Sequence, residues 1–418
     1  MSGGIDSLSP VLLSTFGLRR EPPRPIGDRT AGYDAAFDFD TLFYDVFRTA
    51  DPRQVVCLGP PPLNCEAALS KLIVRLPGTG AVVDWSYLPP RSLRQPSAKV
   101  VLTGEDLAAA GSVIFEIAGH RSEVAIQPGG GPRFSGRRVV TTLSKDNPLA
   151  WICDWAQFNA RVHGADAVLL YDNGSQAYDL AELRRALEAV PGVAEALVVP
   201  WHFPYGPGVG AGNVQDSFYC QPGSLDHARR RFCALARGVL NVDIDELPVL
   251  PAGGSIFDRA EASGKAVTVF AGLWTESAAP AAGLLRHSDC LHSERWRSAL
   301  RGILPFRQFL RTKWIVLPGH CPEDADWGVH DIYPASPLAK AREVSWKGYA
   351  RSLLYRHFRP INTGWKPRRR GRCYSPLIYG YDRDLARAFA LAFPDRPSSV
   401  PKSSLIRGLA RLFGRRVM

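Results

Sequence analysis

An α/β fold built on an open, mostly parallel sheet is predicted by three observations. Strand-like and helix-like runs alternate between residues 138 and 242, the signature of consecutive βαβ units. Three strand ends in that stretch, Ser144-Lys145-Asp146-Asn147, Tyr171-Asp172-Asn173 and Asp243-Ile244-Asp245-Glu246, are all polar or acidic. Open sheets of this kind hold their ligands beyond the C-terminal ends of the strands. The third observation is size: 418 residues exceed one ordinary domain, so the sheet is expected to carry additional units.

The elements follow in order. Residues 1–28 are rich in Pro, Arg and Gly, and a flexible lead-in is expected over 1–32. A small α/β unit is expected over 33–130, with strands at Gln54–Leu58, Leu72–Leu76 and Ala98–Leu102 and a strand pair at Ser112–Ala118 and Glu123–Gln127. Pro128-Gly129-Gly130-Gly131-Pro132 closes it, because consecutive glycines sustain neither helix nor strand. The main unit spans 131–335. Arg138–Leu143 reads as strand, and a helix capped by Asn147 and opened by Pro148 runs to His163, where Gly164 stops it. Ala167–Tyr171 is strand, Asp179–Val190 helix, Ala196–Val199 strand, Asp226–Arg237 helix and Val239–Val242 strand. The strands Ala266–Phe270 and Trp314–Leu317 follow.

Charge separates the last unit, 336–418, from the rest. It holds 19 Lys/Arg against 4 Asp/Glu, while the preceding residues hold 32 against 36. That end is expected to meet phosphates. Within it, Leu405, Ile406, Leu409, Leu412 and Phe413 share one face of a helix and Arg407, Arg411 and Arg415 another. Such a helix suits an anionic membrane surface.

Composition excludes several classes. With 45% hydrophobic and 22% charged residues the chain is neither disordered nor collagen-like. No apolar run reaches the roughly 20 residues of a membrane span, and Met1 to Arg20 lacks the pattern of a signal peptide. The eight cysteines form no CxxC pair, which argues against a zinc ribbon and for reduced thiols in a cytoplasmic protein. No glycine follows the first strand, so the G-x-G-x-x-G turn of a Rossmann dehydrogenase is missing. Gly208-Val209-Gly210-Ala211-Gly212 reads as a flexible loop.

Four D-x-D triplets occur. Asp38/Asp40, Asp324/Asp326 and Asp382/Asp384 read as surface acids. Asp243/Asp245 alone follows a buried-looking strand inside the alternating unit, where two carboxylates suit a hard divalent cation bridging diphosphate oxygens. His330, late in the same unit, is a candidate to complete the coordination. His163 reads as a helix end and His227 as the first turn of another helix. Glu276, at the end of a strand, is the first candidate for a catalytic base, with Asp289 and Glu294 behind it.

Four blocks carry a resemblance to a known family. They are Thr141–Ser175 (TTLSKDNPLAWICDWAQFNARVHGADAVLLYDNGS), Gln221–Glu246 (QPGSLDHARRRFCALARGVLNVDIDE), Lys313–His330, and Tyr355-Arg356-His357-Phe358. Together they resemble bacterial family 2-like glycosyltransferases, which are related to the family 92 glycosyltransferases, over roughly 137–365. The resemblance implies a GT-A fold, a Rossmann-like open mixed sheet, with the small N-terminal α/β unit and a basic helical C-terminal region appended. It implies a nucleotide-diphosphate sugar donor, UDP-linked by expectation, and a divalent cation, Mn²⁺ or Mg²⁺. By that analogy Lys145, Asp146, Asn147, Asp172 and Gln221 border the nucleotide, and Asp243 lies by the ribose or sugar. Asp243 and Asp245 face the metal, with His330 as a further ligand. Leu247 departs from the aromatic that usually follows D-x-D-E, and Trp274-Thr275-Glu276-Ser277 lacks the usual small residues.

The function expected is therefore transfer of a sugar to a glycan or lipid-linked acceptor, metal-dependent and inverting, in the cytoplasm or peripherally at the inner face of the cell membrane. The alternative is a non-catalytic nucleotide- or sugar-binding relative, or a basic nucleic-acid binder. Trp346, Tyr349, Tyr355 and Trp365 interleave with the basic residues as such a binder would require, although no nucleic acid is expected on the transferase reading.

Overall fold

The computed structural model describes residues 5–93, 95–208, 216–251, 253–278, 284–300, 303, 309–323, 325–334, 336–363 and 374–396. The amphipathic stretch 402–418, Trp365, Asp324 and most of the glycine-rich 208–212 loop lie outside these residues.

The N-terminal part is built from two antiparallel sheets. One holds Asp45–Arg48, Gln54–Gly59, Ala98–Thr103 and Asp84–Leu88, and the other Ile73–Arg75, Ser112–Ile117 and His120–Ala125. The expected 112–127 pair is a tight hairpin. Its two-residue loop, Ala118-Gly119, has φ of 51° and 83°, the left-handed backbone that matches strand twist in such turns. Residues 5–32 pack as well: Val11–Leu12 pairs with Thr41–Phe43, Leu13 and Phe16 are buried, and the Arg20 guanidinium is fully enclosed and donates to the Pro61 and Asp38 carbonyls.

The central element is a curled, open mixed sheet of ten strands. Its first half alternates as expected: β1 (Arg138–Ser144), α1 (Leu149–His163), β2 (Ala167–Asp172), α2 (Leu180–Glu188), β3 (Glu195–Pro200), α3 (Cys220–His227) and β4 (Gly238–Asn241). Strand β1 pairs in parallel with both β2 and β4, and β2 with β3. Gly164 ends α1 at φ 71°, and Asp179 caps α2 by accepting from the Glu182 N–H.

The second half is β5 (Glu246–Val249), α4 (Ile256–Ala262), β6 (Val267–Glu276), β7 (His292–Glu294), β8 (Leu310–Val316), β9 (Lys347–Phe358), β10 (Tyr379–Tyr381) and α5 (Arg383–Ala392). The order is β3-β2-β1-β4-β8-β6-β7-β10, with β9 joining β5 antiparallel and β6 in parallel. At Gly272 in β6 a Cβ would lie 2.2 Å from the Tyr355 ring, so β6 and β9 meet only because that side chain is missing.

Two apolar layers cover the sheet. One is filled from α1, α2, α4 and α5 through Trp155, Leu183, Phe257 and Phe389. The other sets α3 and the N-terminal residues Tyr44, Phe47 and Val56 against Leu169, Val199 and Val239. None of the described helices is long and apolar enough to cross a membrane.

Several local expectations are corrected. The helix expected over 226–237 begins at Cys220, ends at His227 and continues into a wider π turn over 228–232. There Arg229, Arg230 and Arg231 are anchored separately by the Pro322 carbonyl, Asp226 and Asp45. Tertiary anchoring overrides the propensity of the segment. The acids taken as solvated are not: Asp38, Asp326 and Asp382 are buried, paired with Arg20, Lys99 and Arg356. Burial of a carboxylate is tolerated because each has a cationic partner.

Candidate functional site

The polar strand ends are brought together at one edge of the sheet. Asp146 has φ 52°; its carboxylate accepts from the Gln176 N–H at 2.6 Å, while its own N–H donates to the Ser175 hydroxyl at 2.9 Å. The loops after β1 and β2 are thereby tied to each other. Asp172 closes its own loop, accepting from the Gly174 and Ser175 N–H groups and the Ser175 hydroxyl. Asn147 donates to the Ser144 hydroxyl rather than capping α1, whose cap position falls on Pro148. Lys145 is exposed beyond β1. These residues sit together beyond the C-terminal ends of β1 and β2, where Asp146 and Asp172 hold the two loops in place.

Beyond β4 the chain alternates sharply. Val242 and Ile244 turn into the core, while Asp243 and Asp245 are half-buried. Asp243 lies 2.8 Å from the Lys313 ammonium and 3.4 Å from the Gln221 amide nitrogen. Lys313, fully buried on β8, also lies 3.1 Å from Glu246. Burial works against its charge, but Asp243 and Glu246 outweigh that and hold the ammonium well above the ordinary lysine range. Asp243 is thus a partner of Lys313 and Gln221.

Asp245 has a different neighbour. Its Oδ2 lies 3.0 Å from Nε2 of His357, and its carbonyl accepts from the Phe358 N–H. Nδ1 of the same imidazole is 3.6 Å from Glu246. The antiparallel register of β5 and β9, Glu246 opposite His357, places the three together. Among the described residues, Asp245, Glu246 and His357 form the one group of three or more His, Cys, Asp or Glu whose ligand atoms all lie within 4.8 Å of one another. The donor set fits a hard divalent cation, and so does the spacing: two ligand atoms about 2.1 Å from an ion in neighbouring octahedral positions lie about 3.0 Å apart.

His330, the histidine expected to join the aspartates, is not in that group. Its Nδ1 is spent on the Thr312 carbonyl at 3.1 Å, and burial, with Lys313 and Arg311 nearby, pushes its pKa down to about 3. His357 was legible only as part of the Tyr355–Phe358 block. Its role depends on pairing across more than a hundred residues, which no local pattern encodes.

A second histidine braces the acidic turn from below. Nε2 of His287 meets the Ile244 carbonyl at 2.8 Å, in the middle of Asp243-Ile244-Asp245. Burial lowers its pKa and keeps the ring neutral. Asp289, on the same short turn, is exposed and accepts from the Arg286 N–H, which gives it a capping contact. Glu276 is fully buried at the end of β6, 3.1 Å from Arg359, whose guanidinium lies 4.3 Å from the Trp274 ring centre. Trp274 in turn meets the His357 ring, with centroids 4.4 Å apart. Glu276 and the Asp245–His357 group are therefore linked through one indole. Arg356, in the basic unit expected to meet phosphates, is instead buried against Asp382.

Comparison with known proteins adds neighbours of limited extent. No family model and no curated protein matches the chain. Among solved structures, the mannosyltransferase Ktr4p from S. cerevisiae in complex with GDP aligns at 9% identity over 34% of this chain and 42% of that one, TM-score 0.24. The WbbM bifunctional glycosyltransferase aligns at 13% identity over 49% of this chain and 35% of that one, TM-score 0.27. A mycobacterial protein aligns at 13% identity over 62% and 71%, TM-score 0.27. The chain spans less than half the length of either transferase.

Proposed function

We propose that the chain is a metal-dependent glycosyltransferase using a nucleotide-diphosphate sugar. The observation that carries this reading is the Asp245–His357 pair, 3.0 Å apart at the C-terminal edge of the sheet with Glu246 behind it. Asp245 and His357 would hold Mn²⁺ or Mg²⁺, which when bound supplies charge to a leaving diphosphate. Lys145, Gln221 and the loops tied by Asp146 and Asp172 border the nucleotide. Asp243, fixed by Lys313, faces the ribose or sugar.

In an inverting transfer the acceptor hydroxyl attacks the anomeric carbon, the bond to the diphosphate oxygen breaks, and the proton passes to a carboxylate. Glu276, buried beside Arg359, is the first candidate for that role, and the exposed Asp289 is the second. UDP- and GDP-linked sugars incubated with and without Mn²⁺ test the reading. Mn²⁺-dependent release of the nucleoside diphosphate from at least one donor is expected, and its absence across the panel would reject the assignment.

A further inference from the structure

The strands beyond His357 carry a run of polar and aromatic side chains on the same sheet face, of which Glu276, Glu294 and Tyr379 are buried, His292 is half-buried and Tyr381 is exposed. Across β9, β6, β7 and β10 the pairings run His357 with Trp274, Glu276 with His292, His292 with Tyr381, and Glu294 with Tyr379. Directly paired residues share a face, as do residues two apart on a strand. Trp274, Glu276, His292, Glu294, Tyr379 and Tyr381 therefore lie on one side. Three strand spacings separate His357 from Tyr381, about 14 Å, the span of a short oligosaccharide.

The chemistry of this strip is that of a neutral polyol site. Tyr374 sits against His292 with ring centroids 5.3 Å apart, near-parallel to Tyr379 at 6.4 Å, and Tyr381 meets His292 at 6.0 Å. The Tyr381 ring is 37% exposed, and Tyr374 is half-buried. Carboxylates and guanidiniums are balanced: Glu276 pairs with Arg359 and Glu294 with Arg297 at 2.6 Å. Paired acids discourage a second phosphate and paired arginines a cation, while both offer planar hydrogen-bonding groups to vicinal hydroxyls. Aromatic rings suit the apolar faces of a sugar. Among the described groups, the buried Nδ1 of His292 has no hydrogen-bond partner, and burial, with Arg295 beside it, lowers the pKa of the ring. A buried polar atom of this kind is costly unless something completes it.

We propose that this strip, lined by His292, Tyr374 and Tyr381 with Tyr379 packed beneath Tyr374, is the acceptor subsite and binds a saccharide, with His292 hydrogen-bonding a hydroxyl. The proposal rests on the transferase reading for its name as acceptor, but the sugar-binding surface stands on its own residues.

The test is saturation-transfer NMR on the full chain with Mn²⁺ and UDP or GDP. The probes are methyl α-D-mannopyranoside, methyl α-D-glucopyranoside and methyl β-D-galactopyranoside. At least one glycoside is expected to bind, with affinity falling about tenfold or more in Tyr381→Ala and in His292→Ala while nucleotide affinity holds. Tyr381→Phe, which keeps the ring and the fold, is expected to weaken the glycoside less than Tyr381→Ala does. A chain that binds nucleotide but no glycoside overturns the proposal, as does glycoside binding that survives both alanine variants, since the sugar then sits elsewhere. Glycoside binding lost in the variants without any nucleotide binding supports the sugar site and counts against the donor reading instead.

Discussion

His357 Nε2 stands 3.0 Å from Asp245 Oδ2, although 112 residues separate the two in sequence. Strand β9 inserts between β5 and β6 and delivers the imidazole to the acidic turn after β4. His330, closer in sequence, is held by the Thr312 carbonyl. His357→Ala is therefore expected to weaken Mn²⁺-dependent nucleotide binding at least tenfold, about 1.4 kcal/mol, while His330→Ala changes it less than threefold. Calorimetric titration of both variants checks this, and the reverse ranking would restore His330 as the ligand.

The buried lysine supports the same turn. Lys313 lies between the half-exposed Asp243 and the buried Glu246, so its removal leaves Glu246 buried without its cation. Breaking such a pair costs about 3–5 kcal/mol. Lys313→Met is expected to lower the melting temperature markedly, and Lys313→Met with Glu246→Gln to recover part of the loss. A single variant as stable as the parent would show that the ammonium does not balance those carboxylates.

Acid sensitivity follows from His163. The ring is fully buried at the end of α1, with Nε2 at 3.0 Å from the Pro248 carbonyl, and burial pushes its pKa down from 6.5 to about 4. The folded state binds the proton less readily than the unfolded chain. The stability is present above about pH 6.5 and is lost as pH falls toward 4, by about 3 kcal/mol in all. Urea denaturation at successive pH values is expected to show that decline, flattened in His163→Gln. An unchanged slope in the variant would assign the decline to other groups.

Asp146 joins the first two strand-end loops from a left-handed backbone, φ 52°, which Asn tolerates better than Ala. Asp146→Asn is expected to keep most of the thermal stability and Asp146→Ala to lose about 1 kcal/mol or more. Donor affinity is expected to fall in both, because the Gln176 contact that ties the two loops together is weakened. Equal donor affinity in all three proteins would make the residue purely a loop support.

These outcomes trace to what local sequence encodes. Strands β1 to β4 were legible because each is a short run with an apolar stretch bounded by turn chemistry, as in Ala167–Asp172 followed by Asn173-Gly174. Asp243 and Asp245 were legible because they end such a run. Strand β9 was not: KGYARSLLYRHF mixes charge with apolar residues and belongs by composition to the basic end of the chain. It becomes a sheet strand only through partners contributed by β5 and β6, pairing that no local window reveals. His357 and the Trp274–Arg359 contact were hidden with it.

The central claim is a cation shared by Asp245 and His357 in binding a nucleoside diphosphate. Calorimetric titration of UDP and GDP into the full chain, with Mn²⁺ and with EDTA, tests it most directly when repeated on Asp245→Asn. The account predicts binding of at least one of the two that needs Mn²⁺ in the parent chain and falls at least tenfold, about 1.4 kcal/mol, in Asp245→Asn, with the melting temperature little changed. Binding equally tight in EDTA, or unaffected by Asp245→Asn, would contradict it.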